Sequence, residues 1–273
     1  MIINETYDLL RSKYGDLFTD TTIENVVVGI FHTAVKLSSG YCGVASTDIG
    51  NSGCSNCYKK DFGEFSPGNI SGKKILDLFN FSNESRILDI IKLTVLNAVS
   101  AEIIDKSNYH IIEDKDPIDL IDLNSNKTIC LVGAFQSYIK KISATSNKLL
   151  VLELNENAFS EEQKKYYVPE NKANSAFSQS DIVVITGATL ANNTLDNLLS
   201  LIPPKVQIIV VGPTSSMIPD VLFNHNVSII GSTKIIDSER MFKVIAEGGA
   251  GYHLFHYCAK KICLLNDKGN TVK

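Results

Sequence analysis

The sequence predicts an α/β protein in two parts: an α+β domain, followed by a Rossmann-like domain with a mainly parallel sheet. Two patterns indicate this fold class. Beyond about residue 126, short and almost continuously apolar strands alternate with helices, as in a parallel sheet covered on both faces. The preceding chain instead shows the order helix, hairpin, helices. A length of 273 residues allows one large domain or two small ones.

The first part of the chain contains a predicted helix over Asn4–Leu17 and a predicted β-hairpin over residues 26–46, where β-branched residues flank a Ser-Ser-Gly turn. A short helix is predicted over Ser71–Phe79. Ser82 or Asn83 is expected to cap a longer helix, in which apolar residues recur at helical spacing.

An acidic segment, residues 107–126, separates the two patterns and carries Pro117. We therefore expect an α+β domain over residues 1–108 and a Rossmann-like domain over residues 109–273. The predicted strands of the second domain are Thr128–Val132, Leu149–Leu154, Asp181–Thr186, Val206–Val211 and Val227–Ile230, and its predicted helices are Gln136–Ser143, Ala173–Ser178, Asn193–Leu201, Pro219–Asn224 and Asp237–Glu247.

The charge pattern argues against nucleic acid as a partner. The formal net charge is −4, and the basic residues are scattered rather than arranged in a stripe. The acidic amino terminus does not resemble a signal peptide, and no apolar run reaches spanning length, so we expect a cytoplasmic protein without membrane contact. The six cysteines lack regular spacing, which favours reduced thiols. A homo-oligomer is compatible with the sequence.

Three strands end in the same way, in the segments ICLVGAF, VVITGAT and IIVVGPT. A glycine at a strand end lets backbone amides approach a ligand, and a following helix start adds positive partial charge. Because the carboxyl ends of parallel strands meet at one edge, we expect the three loops to face one crevice. Its candidate ligand-binding residues are Gly133, Thr186, Gly187, Thr189, Gly212, Pro213 and Ser215.

Two residues of this region have alternative interpretations. Asn193 either lines the crevice or simply caps a helix, since Asn193 and Asp196 have capping-box spacing. Glu153 lies at the end of the second predicted strand. There it is either the ribose-binding carboxylate expected in a dinucleotide site or a solvated strand-end carboxylate. The dinucleotide-binding motif G-x-G-x-x-G requires three glycines after the first strand, and this chain has only Gly133 there. A pyrophosphate site is therefore not supported.

Two further segments carry candidate chemistry. Gly248 and Gly249 follow a predicted helix, either as its stop signal or as an anion-binding loop. Cys54 and Cys57 form a C-x-x-C pair in a glycine-rich loop. They are weak candidates for metal binding, since a zinc site requires two more ligands.

The stretches DIVVITGATLANNTLDNLL and VVGPTSSMIPDVLFNHNVSIIGSTKIIDSERMFKVIAEGG resemble the second domain of a prokaryotic family described as putative heavy-metal chelation proteins. VVVGIFHTAVKLSSGYCGVAST and LNAVSAEII resemble its first domain. The resemblance implies a domain similar to the amino-terminal domain of enolases, a Rossmann-like domain, and a site in the cleft between them. The matched positions are Thr33, Asn97, Thr186, Gly187, Thr189, Asn193, Thr194, Gly212, Pro213, Gly231, Gly248 and Gly249.

The function we expect is the binding or processing of a small anionic ligand or metal chelate in this cleft, with a divalent or heavy metal ion as the implied cofactor. The alternative is a nucleotide-cofactor-dependent enzyme, similar to a methyltransferase or dehydrogenase. A non-catalytic sensor or carrier has no separate sequence signature. The sequence leaves open whether any reaction is catalysed.

Overall fold

A computed structural model describes residues 1–48, 63–82 and 85–267. Cys54, Cys57 and Asn83 therefore lie outside the described residues. Within them, two sheets organise the chain. The first is antiparallel, with the order β1 (Ile23–Val28), β2 (His32–Leu37), β3 (Cys42–Ser46). The predicted hairpin is formed by β2 and β3. The sequence did not reveal the additional turn between β1 and β2, because that turn contains the exposed apolar residues Ile30 and Phe31.

Four helices accompany the first sheet: α1 (Ile2–Lys13), α2 (Gly15–Asp20), α3 (Ile75–Asn80) and α4 (Arg86–Asp105). Helix α4 packs directly on β2 and β3. Gly43 makes this approach possible, since a Cβ atom there would lie 2.1 Å from the carbonyl oxygen of Thr94. The cap of α4 is Ser85, whose hydroxyl accepts from the Leu88 amide at 3.5 Å. The cap predicted at Ser82 or Asn83 is therefore displaced, because several cap-forming residues precede this helix.

The second sheet has eight strands in the order β4-β11-β10-β9-β8-β5-β6-β7. Strands β5 to β10 pair in parallel, whereas β11 is antiparallel to both β10 and β4. The α/β fold class with a mainly parallel sheet is confirmed. The strand bounds are β4 (Ile111–Glu113), β5 (Thr128–Val132), β6 (Lys148–Leu152), β7 (Tyr167–Val168), β8 (Ile182–Thr186), β9 (Gln207–Val211), β10 (Val227–Ile235) and β11 (Ala259–Leu265).

The helices around this sheet include two that the sequence did not predict, namely α7 (Ala188–Ala191) and α11 (Gly251–Tyr257). Both follow glycines that were interpreted as loop residues. The bounds are α5 (Gln136–Ser143), α6 (Ala173–Ser178), α7 (Ala188–Ala191), α8 (Leu195–Leu201), α9 (Asp220–Asn224), α10 (Ser238–Ala246) and α11 (Gly251–Tyr257).

The core lies on both faces of the large sheet, because successive strand residues point to opposite sides. On β8, Ile182 and Val184 pack with the apolar face of α5, whereas Val183 and Ile185 join a cluster that continues into α4. This second cluster connects the large sheet to the first part of the chain. The division into domains at residues 108 and 109 remains our proposal.

Candidate functional site

The three strand ends that were predicted to face one crevice lie next to one another. Strands β5, β8 and β9 are neighbours in the sheet. A Cβ atom on Gly133 would lie 3.2 Å from Thr186 Cγ2, and one on Gly187 would lie 3.0 Å from the Ser215 amide nitrogen. Gly212 has a φ of +136°, which a side chain disfavours. The fold thus brings these five predicted residues together.

The glycine amides of these loops are used by the protein itself. Each donates to a carbonyl oxygen of a neighbouring strand and so completes backbone hydrogen bonding. An anion at these three amides would have to compete with those carbonyl oxygens, and the predicted contact stays a prediction. The donors Gly133, Gly187 and Gly212 pair with Leu152, Val211 and Gly231 at 2.9, 2.7 and 3.0 Å respectively.

Glu153 has a structural role at the end of β6. One carboxylate oxygen accepts from the Ala134 amide at 2.9 Å. The other accepts from the amides of Leu154 and Asn155, at 2.8 and 3.2 Å. A ribose would have to compete with these three amides for the Glu153 carboxylate. The observed contacts correspond neither to a ribose ligand nor to a carboxylate that only water solvates.

The predicted hydroxyl ligands also have partners within the protein. Thr189 Oγ1 donates to the Thr186 carbonyl oxygen at 2.6 Å. Ser215 Oγ lies 2.8 Å from the Gly212 carbonyl oxygen and 3.1 Å from that of Gly231. Thr194 Oγ1 donates to Asn192 Oδ1 at 2.6 Å. These contacts fix the loops, and a ligand at these hydroxyls would have to replace them.

Asn193 is exposed and lies in the left-handed region, with a φ of +60°. Helix α8 begins after Thr194, which occupies the cap position without a side-chain capping bond. The capping interpretation of Asn193 is therefore wrong. Asparagine tolerates this backbone conformation better than most residues, which explains its place in the turn between α7 and α8.

Thr33, on β2, and Asn97, on α4, are both fully buried. Asn97 Nδ2 donates to the carbonyl oxygens of Val44 and Thr214, at 2.8 and 3.1 Å, and so joins α4 to the first sheet and to the loop after β9. Thr33 Oγ1 lies 2.9 Å from Thr47 Oγ1, in the segment after β3. Neither side chain lines the cavity described below.

Gly248 and Gly249 end helix α10, which agrees with the helix-stop interpretation. Gly248 has a φ of +79°, and its amide donates to the Ile245 carbonyl oxygen at 3.1 Å. A Cβ atom on Gly249 would lie 2.4 Å from Val244 Cγ1. These contacts satisfy the helix end and let the chain turn into α11.

A cavity of about 550 Å³ lies at the carboxyl edge of the parallel strands, beside Gly212 and Pro213. We refer to it as the edge cavity. Its volume is within the usual range for small-molecule sites, and its position is where open α/β sheets bind ligands. Of the positions predicted from the sequence, Gly212, Pro213 and Gly231 line it. Its side chains include those of Phe135, Tyr138, Tyr252, Phe255, His256 and Lys261.

Asp116 organises the polar side of the edge cavity. It accepts from Lys261 Nζ at 2.6 Å and from the Tyr138 hydroxyl. Burial is the main reason why the pKa of Tyr138 is raised, and Asp116 raises it further, so Tyr138 stays a neutral donor. The Lys261 ammonium also lies 5.4 Å from the centre of the Phe255 ring. The Lys261–Asp116 ion pair therefore lies beside the rings of Tyr138 and Phe255.

Helix α11 supplies the residues that sequence reasoning missed. Tyr252 and His256 are one helical turn apart and stack with ring centres separated by 5.8 Å. Phe255 lies between them in sequence and faces the same cavity. Within GYHLFHY, Tyr252 precedes Phe255 by three positions and His256 by four, a spacing that places the three side chains on one face of a helix. The preceding glycines favoured a loop interpretation, so this pattern was overlooked.

A protein-built metal cluster is absent from residues 1–48, 63–82 and 85–267: no group of three or more His, Cys, Asp or Glu side chains is placed to hold a metal ion. The cysteines in these ranges, Cys42, Cys130, Cys258 and Cys263, are free and buried. Burial raises the pKa of Cys42 to about 11 and that of Cys130 to about 12, which disfavours the thiolate that binds metals. Within the same ranges, no helix combines the length and the apolarity that a membrane span requires.

Two family models match the chain, and both carry the description "Putative heavy-metal chelation". The DUF4213 model covers residues 11–100, and the DUF364 model covers residues 116–264. An uncharacterized protein of Methanocaldococcus jannaschii is 40% identical over 60 residues, which are 22% of this chain and 23% of that protein.

Two solved structures of DUF364 proteins of unknown function are similar over nearly the whole chain. The protein from Pyrococcus horikoshii has a TM-score of 0.73 at 18% identity, covering 96% of this chain and 99% of its own. The protein from Desulfitobacterium hafniense DCB-2 has a TM-score of 0.72 at 18% identity, covering 97% and 98%. These likenesses show the fold, and the match of the DUF364 model to residues 116–264 shows that the chain belongs to the DUF364 family, described as putative heavy-metal chelation.

Proposed function

We propose that the chain binds a small metal chelate or a similar anionic molecule in the edge cavity. The observation that carries this proposal is the placement of an aromatic-lined cavity, with one imidazole group and the Lys261–Asp116 ion pair, at the carboxyl edge of the parallel strands. The family description supports a metal-containing ligand. The residues of the predicted cleft then act by holding the loops beside this cavity.

A chelate suits the cavity better than a bare ion does. A bare heavy metal needs three or four protein donors, and the described residues offer no such group. A chelate already surrounds its metal, so the protein needs apolar contact and one or two polar groups. Tyr252 and Phe255 provide apolar surface, and the His256 imidazole is the type of group that fills an open coordination position. Lys261 pairs with Asp116, but its half-exposed ammonium has further N–H donors for a polar group of the chelate.

The nucleotide-cofactor alternative is less well supported. The Ala134 amide and the Glu153 carboxylate, which would contact a dinucleotide, are paired with each other. Cys54 and Cys57 remain a separate hypothesis for metal binding, since they lie outside the described residues. A test of the proposal must therefore distinguish thiol binding from binding in the edge cavity.

Calorimetric titration with three probes makes this distinction: nickel(II) alone, nickel nitrilotriacetate and nickel phenanthroline. We expect at least one chelate to bind more tightly than nickel alone. His256→Ala should weaken chelate binding about tenfold, equivalent to one lost polar contact. The matched control His110→Ala removes an imidazole that does not line the edge cavity and should leave the affinity unchanged.

A C54S/C57S double variant completes the design. If the edge cavity is the site, this variant binds the chelates as the parent protein does. Stoichiometric binding of nickel alone that disappears in the double variant and persists in His256→Ala would contradict the proposal and assign the metal to the thiols. Stabilisation by NAD or S-adenosylmethionine in a thermal-shift assay would instead favour the nucleotide alternative.

A further inference from the structure

The edge cavity is rich in aromatic residues. Among the described residues, sixteen line it, and four of these are Phe or Tyr, compared with 8% of the whole chain. Val211 and Ile262 are the only aliphatic residues of the same set, which also contains Pro117 and Pro213. Aromatic rings attract one another by more than the burial of their area. This composition therefore favours a flat ring over an aliphatic chain as the apolar part of a ligand.

Two pairs of stacked rings line this cavity, and they come from different helices. At the start of α5, the ring centres of Phe135 and Tyr138 are 5.2 Å apart, and the ring planes differ by 26°. On α11, the ring planes of Tyr252 and His256 differ by 11°. Phe135 is half-buried and Tyr252 is 73% exposed, so both rings keep surface that a ligand can cover. A planar ligand ring can extend either stack.

Lys261 offers a polar contact beside these rings. Its ammonium lies 2.6 Å from Asp116 Oδ2 and 5.4 Å from the centre of the Phe255 ring. The side chain is 43% exposed, and an ammonium has three N–H donors, so Asp116 does not use its full capacity. A ligand oxygen that accepts from Lys261 is held close to aromatic surface, because Lys261 itself lies beside Phe255.

We propose that the chelator bound in the edge cavity is a planar aromatic ring that carries an anionic oxygen next to its metal-donor atom, as in a pyridine carboxylate. This inference rests on the function proposed above and specifies its ligand class. The ring stacks on the aromatic side chains of α5 and α11, the carboxylate accepts from Lys261, and the open coordination position of the metal faces His256. Saturated chelators with the same donor atoms bind more weakly.

Nickel(II) complexes of picolinate and pipecolinate test the ring requirement by calorimetric titration. Both chelators hold the metal through one nitrogen and one carboxylate oxygen, but picolinate has a flat aromatic ring and pipecolinate a saturated one. We expect nickel picolinate to bind about tenfold more tightly, as one or two additional ring contacts would give. Equal binding of the two complexes overturns the inference and leaves the proposed function standing.

Metal-free picolinate and pipecolinate separate the inference from the proposed function in the other direction. If free picolinate binds as tightly as its nickel complex and free pipecolinate binds more weakly, the ring requirement is supported and the proposed binding of a metal chelate is contradicted. If neither nickel complex binds, the inference is overturned. The proposed function then depends on the results with nickel nitrilotriacetate and nickel phenanthroline.

Single substitutions assign the contacts. Tyr252→Leu removes an exposed ring but keeps apolar surface, so the preference for picolinate should fall to about threefold or less. Phe31→Leu, which changes an exposed ring outside the edge cavity, is the matched control and should keep the full preference.

Lys261→Met should weaken both nickel complexes by a similar factor of about ten, because both chelators carry the carboxylate. A preference for picolinate that neither Tyr252→Leu nor Phe135→Leu reduces contradicts the stacking. Unchanged affinities in Lys261→Met contradict the carboxylate contact.

Discussion

The side-chain amide of Asn97 donates a hydrogen bond to the carbonyl oxygen of Thr214 at 3.1 Å, joining helix α4 to the loop after β9. The same amide also bonds to Val44 in the first sheet. We predict that Asn97→Ala lowers the free energy of unfolding by about 2 to 4 kcal/mol, since it removes both bonds and leaves a cavity. Urea denaturation measures this change, and Asn197→Ala, on an exposed position of α8, should cost little.

Glu153→Ala should loosen the loops after β5 and β6. The carboxylate accepts from three backbone amides, beginning with that of Ala134. We expect a loss of about 1 to 2 kcal/mol in the free energy of unfolding. The exposed Glu156→Ala is the control. Equal stability of these two variants would show that the three contacts contribute nothing measurable.

Gly212→Ala tests backbone strain at the edge cavity. Gly212 has a φ of +136° and a ψ of 166°, a region that almost excludes other residues. A Cβ atom would meet no atom closer than 3.7 Å, so strain rather than a clash should dominate. We predict a loss of about 1 to 3 kcal/mol by chemical denaturation. Gly15→Ala, at a helical position with open space around it, should not destabilise the protein.

His32 should make stability depend on pH. Burial lowers its pKa below the ordinary 6.5, and a hydrogen bond with the Gly249 backbone opposes this only in part. As the pH falls below 6.5, the unfolded chain takes up this proton before the folded protein does, so stability decreases until the lowered folded pKa is passed. Denaturation at pH 7.5 and 5.5 should show a smaller decrease for His32→Gln than for the parent.

The strands that the sequence predicted best are those with continuous apolar residues and a glycine end. Thr128–Val132 agrees with the structure at both ends, because its apolar residues are buried, Lys127 precedes it and Gly133 ends it. Strand β11 was missed because its half-buried lysines, Lys260 and Lys261, interrupt the apolar pattern. Lys260 and Lys261 form ion pairs with Asp114 and Asp116, which accounts for lysines within a strand. The sequence alone does not reveal these pairs.

For the candidate site, the glycine-ended strands correctly indicated that Gly133, Gly187 and Gly212 come together, because β5, β8 and β9 are neighbours. That these residues bind a ligand stays a prediction. Sequence reasoning could not show that their amides were already paired, because those partners lie on neighbouring strands. The spacing within α11 indicates a shared helix face, but its position beside Lys261 and Gly212 arises only through tertiary packing.

The position of β11 has a consequence for how the protein forms during synthesis. Among the described strands, β4 pairs with β11 alone, through contacts such as Ile112 with Cys263. The ribosome releases β4 early and β11 late, so β4 has no strand to pair with while the parallel strands assemble. Lys261 and Ile262, on β11, line the edge cavity. A nascent chain therefore completes the wall of this cavity only late in synthesis, and a translation product that stops before β11 lacks that wall.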